Sequence, residues 1–337
     1  MKRKLCDPPV VVVTGASAGV GRAVVRRFAQ DKAKVGLIAR GIEGLEGAKC
    51  DVEAAGGEAL VCPCDVADYR AVEASAERIE KELGPIDIWV NAAFAGVLAP
   101  FMDMTMEDYE RVTQVTYMGQ VHGTRAALER MLPRDKGSIV LVGSALAYRG
   151  IPLQSAYCGA KHAIQGFMDS LRCELLHMMS NVHVSMVQLP GVNTPQFDWI
   201  RTTMPNDPKP ASVPYQPEIP AEAIHYAAHH RRKEIRVGWP TIEAIWGDRL
   251  ASPLLDRYLA ATGFQGQQDK EAVSPGRRDN LYEPVPGDRG AHGRFDASAR
   301  TRSSQVWLTT HRAQAALGAV LALAAGGMAW LGSRRTA

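Results

Sequence analysis

Short apolar runs alternate with longer segments of helical periodicity from residue 9 to about residue 238. Short runs bounded by turn residues indicate buried strands, whereas apolar residues repeating every three or four positions indicate amphipathic helices. The alternation is typical of βαβ units around a parallel sheet. Strands are predicted over 10–14, 34–39, 59–64, 86–91, 137–142, 182–188 and 234–237. Helices are predicted over 20–30, 42–55, 68–83, 105–131, 155–179 and 220–230. The pattern therefore predicts an α/β domain over 9–238, a doubly wound Rossmann fold with a seven-stranded parallel sheet.

The pattern changes after the last predicted strand. Residues 239–264 are amphipathic and predict a C-terminal helical extension. Residues 265–310 hold many charges, glycines and prolines, which indicates a polar linker, disordered or draped on the surface. Residues 315–331 form a stretch of seventeen residues without a charge, flanked by His311-Arg312 and Arg334-Arg335. Since a membrane-spanning helix needs about 17 to 25 apolar residues, we predict a transmembrane or membrane-associated helix over 311–337, with a soluble packing helix as the alternative.

Composition and charge exclude several classes of protein. The 337 residues include 39 Lys and Arg against 36 Asp and Glu, a net charge of +3, which argues against nucleic acid as a partner. A hydrophobic fraction of 46% excludes a mainly disordered chain. Six cysteines are too few for a disulfide scaffold, and Cys62 and Cys64 lack the spacing of a metal site. We predict no metal, reduced thiols and a cytoplasmic catalytic domain, membrane-anchored at its C-terminus if the apolar stretch spans a bilayer.

A glycine-rich turn, TGASAGVG over 14–21, joins the first predicted strand to the first helix. Gly15 permits a tight turn, while Gly19 and Gly21 let the backbone approach a pyrophosphate and let the helix pack on the sheet. Free N–H groups at the helix start face the anion. The turn predicts a dinucleotide site that includes Ser17 and Val20; a plain structural turn is the alternative.

The second predicted strand ends at Arg40, where a NAD-binding protein is expected to carry an acidic residue for the ribose 2′-hydroxyl. A basic side chain suits a 2′-phosphate instead. We therefore predict NADP as cofactor, with NADPH favoured over NADH; the alternative is that Arg40 is a solvated strand end.

Ser144 follows the fifth predicted strand, and Tyr157 and Lys161 follow it in the next helix. Residues four apart share a helix face, so Tyr157 and Lys161 are expected to project together toward the carboxyl ends of the strands. A phenol has a pKa near 10, which a neighbouring ammonium lowers. The pattern predicts hydride transfer to a carbonyl carbon, with Tyr157 protonating the oxygen and Ser144 donating a hydrogen bond to it. Lys161 is expected to tune Tyr157 and to reach the cofactor ribose.

Taken together, these motifs resemble the short-chain dehydrogenase/reductase family, of the core single-domain type, over residues 9–238. The resemblance rests on the glycine turn, the Ser144, Tyr157 and Lys161 set, and two further segments: Asp65-Val66 after the third strand and PGVNT over 190–194. It implies an alcohol and carbonyl oxidoreductase and a homo-oligomer with a dimer face formed by helices 105–131 and 155–179.

The resemblance also assigns cofactor-binding roles. Asp65 and Val66 are expected at the adenine, and Asn91 is expected beside the cofactor at the end of the fourth strand. The residues expected to line the nicotinamide are Pro190, Gly191, Val192 and Thr194.

Two segments depart from the family pattern. The family's Asn-Asn-Ala-Gly reads NAAF here, with Phe94 in the last position. The family's fourth catalytic residue, an Asn that holds a water linking the lysine to solvent, is replaced by Thr116, whose hydroxyl has a shorter reach. These departures keep open a non-catalytic NADP-binding protein, a membrane-tethered sensor or interaction partner. The glycine spacing argues against a lyase or epimerase.

A proline-rich segment over 192–219 interrupts the alternation of strands and helices, and loops of this length are often functional. It is expected to close over the nicotinamide and to form an apolar substrate pocket; packing within the loop is the alternative. We predict an apolar carbonyl or alcohol as the small-molecule substrate. The residues on which this rests are Phe197, Trp199, Ile200, Met204 and Tyr215.

Overall fold

The computed structural model describes residues 8–316 of the chain. Its strands are β1 Val10–Thr14, β2 Lys34–Ala39, β3 Glu58–Pro63, β4 Ile86–Asn91, β5 Val97–Leu98, β6 Ser138–Val142, β7 His183–Gln188, β8 Arg201–Thr202, β9 Asn206–Pro208, β10 Glu234–Arg236 and β11 Gln268–Ala272. Its helices are α1 Gly19–Ala29, α2 Ile42–Ala54, α3 Tyr69–Leu83, α4 Met106–Thr113, α5 Gly119–Met131, α6 Ser155–His177, α7 Gln196–Trp199, α8 Glu218–His229, α9 Trp239–Gly266 and α10 Ser304–Thr310.

Within the described residues, seven strands form one sheet in the order β3-β2-β1-β4-β6-β7-β10. All of its strand pairs are parallel. The strand order reverses between β1 and β4, and open α/β sheets bind their ligands at such a switch point, outside the carboxyl ends of the strands. The predicted doubly wound Rossmann fold is confirmed.

Alternate residues of β1 enter the two apolar cores on opposite faces of the sheet. Val11 and Val13 pack in the core that contains the buried residues of α1, α2 and α8. Val10 and Val12 face the core that contains those of α3, α5 and α6. Because helices cover both faces, the central strands are continuous apolar runs rather than alternating ones.

The long predicted helix 105–131 is divided. Its first part is α4, and a π-helical turn over Gln114–Met118 separates it from α5. Single π turns inside α-helices are frequent at functional sites. This turn carries Thr116 and faces the end of β4.

The C-terminal part of the chain packs on the domain. The predicted extension corresponds to α9, which is kinked at Ala251, just before Pro253. Residues 265–310, predicted as a linker, contain β11 and α10, and the side chains of Leu281 and Ala291 in between are buried.

The predicted membrane helix lies almost entirely outside the described residues. Over 8–316, the structure contains no helix that is both long and apolar enough to span a bilayer.

Candidate active site

The glycine turn between β1 and α1 has no room for larger side chains. A Cβ atom on Gly21 would lie 2.0 Å from the carbonyl oxygen of Gly15, and one on Gly15 would lie 2.9 Å from the backbone of Ala93. Gly15 and Gly19 have positive φ angles of 70° and 57°. No side chain caps the start of α1. The turn is a close-fitting backbone cradle that suits the pyrophosphate of a dinucleotide, and in this structure the N–H of Gly19 within it donates to the carbonyl oxygen of Gly290 at 3.0 Å.

A cavity of about 460 Å³ extends from this turn along the carboxyl ends of the strands. Its volume is in the range of sites for small molecules and cofactors. Ser144, Tyr157 and Lys161 line the same cavity. The other predicted cofactor residues that line it are Gly15, Ser17, Gly19, Val20, Gly21, Arg40, Asp65, Val66, Pro190, Gly191, Val192 and Thr194.

Asn91 is the exception among the predicted cofactor residues, because the structure places its side chain away from the cavity. Its amide donates to Thr124 Oγ1 at 3.1 Å, and its carbonyl oxygen accepts from Trp89 Nε1 at 3.0 Å. The side chain is fully buried and ties β4 to α5. The position of a residue at the end of a strand does not determine the face of the sheet on which its side chain lies.

Thr14 has a role that the motif alone does not reveal. Its hydroxyl oxygen accepts hydrogen bonds from the N–H groups of Ala92 and Ala93, at 3.1 and 3.2 Å. These bonds hold the segment after β4 against the glycine turn. Thr14 thereby fixes the distance between the two strand ends that flank the switch point.

Ser144, Tyr157 and Lys161 meet at the end of β6 and the start of α6. The Lys161 ammonium nitrogen lies 5.4 Å from the centre of the Tyr157 ring. It is 2% exposed and donates to the carbonyl oxygen of Val142 at 2.7 Å. The Ser144 hydroxyl oxygen accepts from the N–H of Leu146 at 3.1 Å, which orients it at the cavity wall.

Burial shifts the pKa values of both Tyr157 and Lys161 in α6. It raises the pKa of the Tyr157 phenol well above its ordinary value, and the hydrogen bond with Ser144 opposes this rise. Burial lowers the pKa of the Lys161 ammonium to about 7. Removal of water penalises both charged forms, and in the free protein it outweighs the expected effect of Lys161 on Tyr157. Tyr157 is therefore a neutral phenol at neutral pH, ready to donate a proton.

Thr116 is not part of the wall of the cavity that the described residues form. Its fully buried hydroxyl accepts from the N–H of Ala95 and donates to the carbonyl oxygen of the same residue, both at 2.9 Å. The one proton of the Thr116 hydroxyl is already donated. The two bonds with Ala95 tie the π turn to the segment after β4. The structure thus separates it from the other three predicted catalytic residues.

The apolar end of the cavity is built from several elements. Phe197, Trp199 and Ile200 line it, as expected for a lid, whereas Met204 and Tyr215 do not. Tyr215 packs beneath Gly238, where a Cβ atom would lie 2.8 Å from its ring.

Phe94 also lines the apolar end of the cavity. It occupies the position of the glycine in the family's Asn-Asn-Ala-Gly segment. Its ring centre lies 5.8 Å from that of Tyr157, edge to face. Helix α9 adds Pro240, Thr241 and Ala244 to the same wall. The wall beside Tyr157 therefore includes the apolar ring of Phe94, and the polar side chains of Gln154 and Lys209 line the same cavity.

Arg40 lies at the end of β2, where its guanidinium donates to three successive backbone carbonyls. Those of Leu281 and Tyr282 accept at 3.1 and 2.7 Å, and that of Asn280 is a third partner. Asp65, expected at the adenine, forms an ion pair with Arg111. The segment from 280 to 282 thus reaches the cofactor site from a part of the chain that shows no apolar periodicity.

A family model described as short chain dehydrogenase matches residues 9–204. The chain belongs to the short-chain dehydrogenase/reductase family. It is similar over 99% of its length to "Uncharacterized oxidoreductase YxnA" of Bacillus subtilis (strain 168), with 31% identity and 93% of that protein covered. It is also 35% identical to human "Dehydrogenase/reductase SDR family member 7" over 49% of this chain and 50% of that one.

The chain is also similar in fold to solved structures of nicotinamide-dependent enzymes. One is a metagenomic short-chain oxidoreductase in complex with NADP, with a TM-score of 0.58 and 27% identity over 68% of this chain and 96% of that one. Another is an NAD⁺-bound xylitol dehydrogenase, with a TM-score of 0.51 and 29% identity over 54% of this chain and 69% of that one. The protein is accordingly an NAD(P)-dependent oxidoreductase.

Proposed function

We propose that this short-chain dehydrogenase/reductase interconverts an alcohol and a carbonyl with NADP as its cofactor. The observation that carries the proposal is that Ser144, Tyr157 and Lys161 line one cavity with the glycine turn. When bound in the turn, NADPH supplies a hydride to the carbonyl carbon.

The side chains of the cavity handle the oxygen atom and its proton. Ser144 donates a hydrogen bond to the carbonyl oxygen and orients it. Tyr157 donates its phenolic proton to that oxygen as negative charge develops on it. Protonated Lys161, buried beside the ring, stabilises the phenolate that remains. The apolar wall that includes Phe94 and Trp199 excludes water from the reacting atoms. In the direction of oxidation, Tyr157 accepts the alcohol proton.

Arg40 supports the choice of NADP. It lines the cavity at the end of β2, and residues 39–42 at that strand end include no acidic side chain to hold a ribose 2′-hydroxyl. We expect Arg40→Ala to raise the KM for NADPH about tenfold and the KM for NADH at most about twofold. The loss of the Arg40 bonds to residues 280–282 affects both cofactors alike, whereas only NADPH also loses a charged contact. Steady-state kinetics with both cofactors measure this ratio. An equal rise in both values would contradict the NADP preference.

The apolar end of the cavity supports an apolar substrate. We expect NADPH oxidation to be fastest with hydrophobic ketones and aldehydes, because Phe94, Trp199 and Ile200 offer apolar contact but no charge. A panel of carbonyl compounds of equal size, apolar and charged, measures kcat/KM for each class. Turnover of small charged substrates alone would overturn the proposed substrate class.

A non-catalytic NADP-binding protein is the second candidate function. Two observations favour it: Thr116, at the family's fourth catalytic position, holds the Ala95 backbone, and Phe94 replaces the family's glycine. The carbonyl panel separates the two functions. NADPH binding without oxidation by any member of the panel would favour this candidate.

We further propose that residues 311–337 attach the enzyme to a membrane. The support is the uncharged stretch 315–331 between basic pairs. Expressed protein should pellet with membranes, and removal of residues 311–337 should release it to the supernatant. Recovery of the full chain in the supernatant at low and high salt would contradict this attachment.

We propose a homo-oligomer with a dimer face formed by α4, α5 and α6. Phe101, Met102 and Met106 next to this face are 59%, 86% and 60% exposed, which suits burial against a second copy. Light scattering should give at least twice the mass of one chain, 36.5 kDa. A single-chain mass at micromolar concentration would contradict this interface.

A further inference from the structure

Residues 277–296, here called the strap, run along the cofactor cavity and contribute to its wall. At one end, the Arg277 guanidinium donates to the carbonyl oxygen of Ile200 in the lid at 2.6 Å. At the other end, the N–H of Phe295 donates to Asn193 Oδ1 at 3.0 Å. Both ends are therefore fixed to the segment that follows β7.

The first half of the strap is anchored around Arg40. Leu281 is fully buried, in the same apolar cluster as Val66 of the cavity wall. Its carbonyl oxygen accepts from Arg40 at 3.1 Å and from Arg111 at 3.0 Å. The phenol of Tyr282 donates to Asp108 at 2.9 Å. The strap thus covers the strand end at which a 2′-phosphate is expected.

The second half of the strap is held against the glycine turn. Asp288 accepts two hydrogen bonds from the Arg22 guanidinium, at 3.0 and 3.3 Å, and Arg22 is only 2% exposed. The carbonyl oxygen of Gly290 accepts from the N–H of Gly19, within the turn, at 3.0 Å. We call the Arg22 and Asp288 pair the latch. Glu43 at the start of α2 provides a second attachment, through the N–H of Gly287.

The strap forms part of the wall of the cavity beneath it. Asn280, Pro284, Val285, Gly287 and Arg289 line the cavity together with the glycine turn. The strap is closed in this structure, and the cavity beneath it still measures about 460 Å³. The closed position therefore leaves space for a ligand but occupies two groups assigned to the dinucleotide, the N–H of Gly19 and the guanidinium of Arg40.

We propose that residues 279–290 are a gate whose Arg22–Asp288 latch is closed both before and after cofactor binding, and that opens to admit and release the dinucleotide. In the bound state the phosphates of the cofactor replace the carbonyl oxygen of Gly290 at the N–H of Gly19 and those of residues 280–282 at Arg40. The gate lies outside residues 9–204, which match the family model, and within residues 265–310, the segment predicted as a linker. The inference rests on the cofactor part of the proposed function and does not depend on the alcohol and carbonyl reaction.

Asp288→Ala is the variant that tests the gate. It removes the latch but leaves Arg22 bonded to Asp51 at 2.6 Å and to the carbonyl oxygen of Gly44 at 3.0 Å, so the turn keeps its support. A latch of equal strength in the free and bound protein slows entry and release by the same factor. We expect the association and dissociation rate constants for NADPH to rise together, by about three- to tenfold, with Kd changed less than about twofold.

Stopped-flow energy transfer from tryptophan to NADPH measures both rate constants without turnover, and Trp199 lines the cavity. Glu43→Ala removes the second attachment and should raise both rates in the same way. Glu73→Ala is the matched control, because it breaks a 2.7 Å ion pair between α3 and Arg130, a similarly shielded arginine that keeps a second acidic partner. Its rates should equal those of the wild type.

The outcomes separate the gate from its alternatives. Unchanged rates in Asp288→Ala and Glu43→Ala, with NADPH bound as tightly as by the wild type, would overturn the gate and leave the cofactor function intact. A faster association rate alone would overturn it in favour of a segment that competes with the cofactor. A faster dissociation rate alone would overturn it in favour of a clamp formed only after binding. Absence of NADPH and NADH binding to the wild type would overturn both the gate and the cofactor function.

Discussion

The amino group of Lys161 is buried in an environment that disfavours its charged form. It is 2% exposed, and burial lowers its pKa to about 7. In the unfolded chain a lysine has a pKa of about 10.4. Between these two values the unfolded chain binds more protons than the folded one, so this residue makes the free energy of unfolding rise with pH. Its destabilising effect is complete below about pH 7 and disappears above about pH 10.4.

Lys161→Met should therefore stabilise the cofactor-free enzyme at pH 7 while abolishing its activity. We expect a gain of about 1 to 4 kcal/mol at pH 7 that shrinks toward pH 10, because methionine fills the site without a charge. The carbonyl oxygen of Val142 keeps a second donor, Gln120 Nε2 at 3.0 Å. Denaturant unfolding at several pH values measures the difference. A gain that is constant from pH 7 to pH 10 would show that packing, rather than charge, is its cause.

Thr116 is expected to act on stability rather than on proton transfer. Thr116→Val keeps the volume but leaves the N–H and carbonyl groups of Ala95 without their partner, at a cost of about 1 to 3 kcal/mol. We expect a lower midpoint of thermal unfolding and a kcat within about threefold of the wild type. A tenfold or larger loss of kcat in a fully folded variant would instead assign Thr116 the relay role implied by its position.

At the scale of the elements, the start of α1 requires glycine for a steric reason that goes beyond helix propensity. Gly21→Ala places a Cβ atom 2.0 Å from the carbonyl oxygen of Gly15, so the turn must move. We expect at least a tenfold weaker Kd for NADPH and a lower thermal midpoint. Gly166→Ala in α6 is the matched control, since no atom lies within 4 Å of its added Cβ. It should stabilise the protein by about 0.4 to 1 kcal/mol without changing Kd. Equal Kd values in both variants would contradict a pyrophosphate cradle at Gly21.

The apolar pattern predicted the elements of the sheet well because helices cover both faces. The central strands are then continuous apolar runs, as in β1, and can be recognised without knowing which strands pair with them. The π turn in the long helix was not predictable, since its cause is a tertiary one: Thr116 bonds to the backbone of Ala95. The orientation of Asn91 was also beyond the pattern, because Trp89 and Thr124 determine it.

At the scale of the whole molecule, two parts of the chain with different sequence character build one cavity. The Rossmann domain supplies the glycine turn and Tyr157, and the strap forms part of the cavity wall at the glycine turn. The strap was not predicted because Leu281 and Ala291 are isolated apolar residues in a charged segment that has neither the periodicity of a helix nor that of a strand. Its latch joins Arg22 to Asp288, 266 positions away, and the sequence offers no local signal for such a pair.

The central claim is that Tyr157 transfers the proton to and from the substrate oxygen. The most direct measurement compares kcat for NADPH-dependent carbonyl reduction between the wild type and Tyr157→Phe, with Tyr226→Phe on α8 as the control, at saturating cofactor. We predict a loss of at least about 100-fold for Tyr157→Phe, an unchanged Kd for NADPH and wild-type activity for Tyr226→Phe. Equal rates for the wild type and Tyr157→Phe would contradict the account.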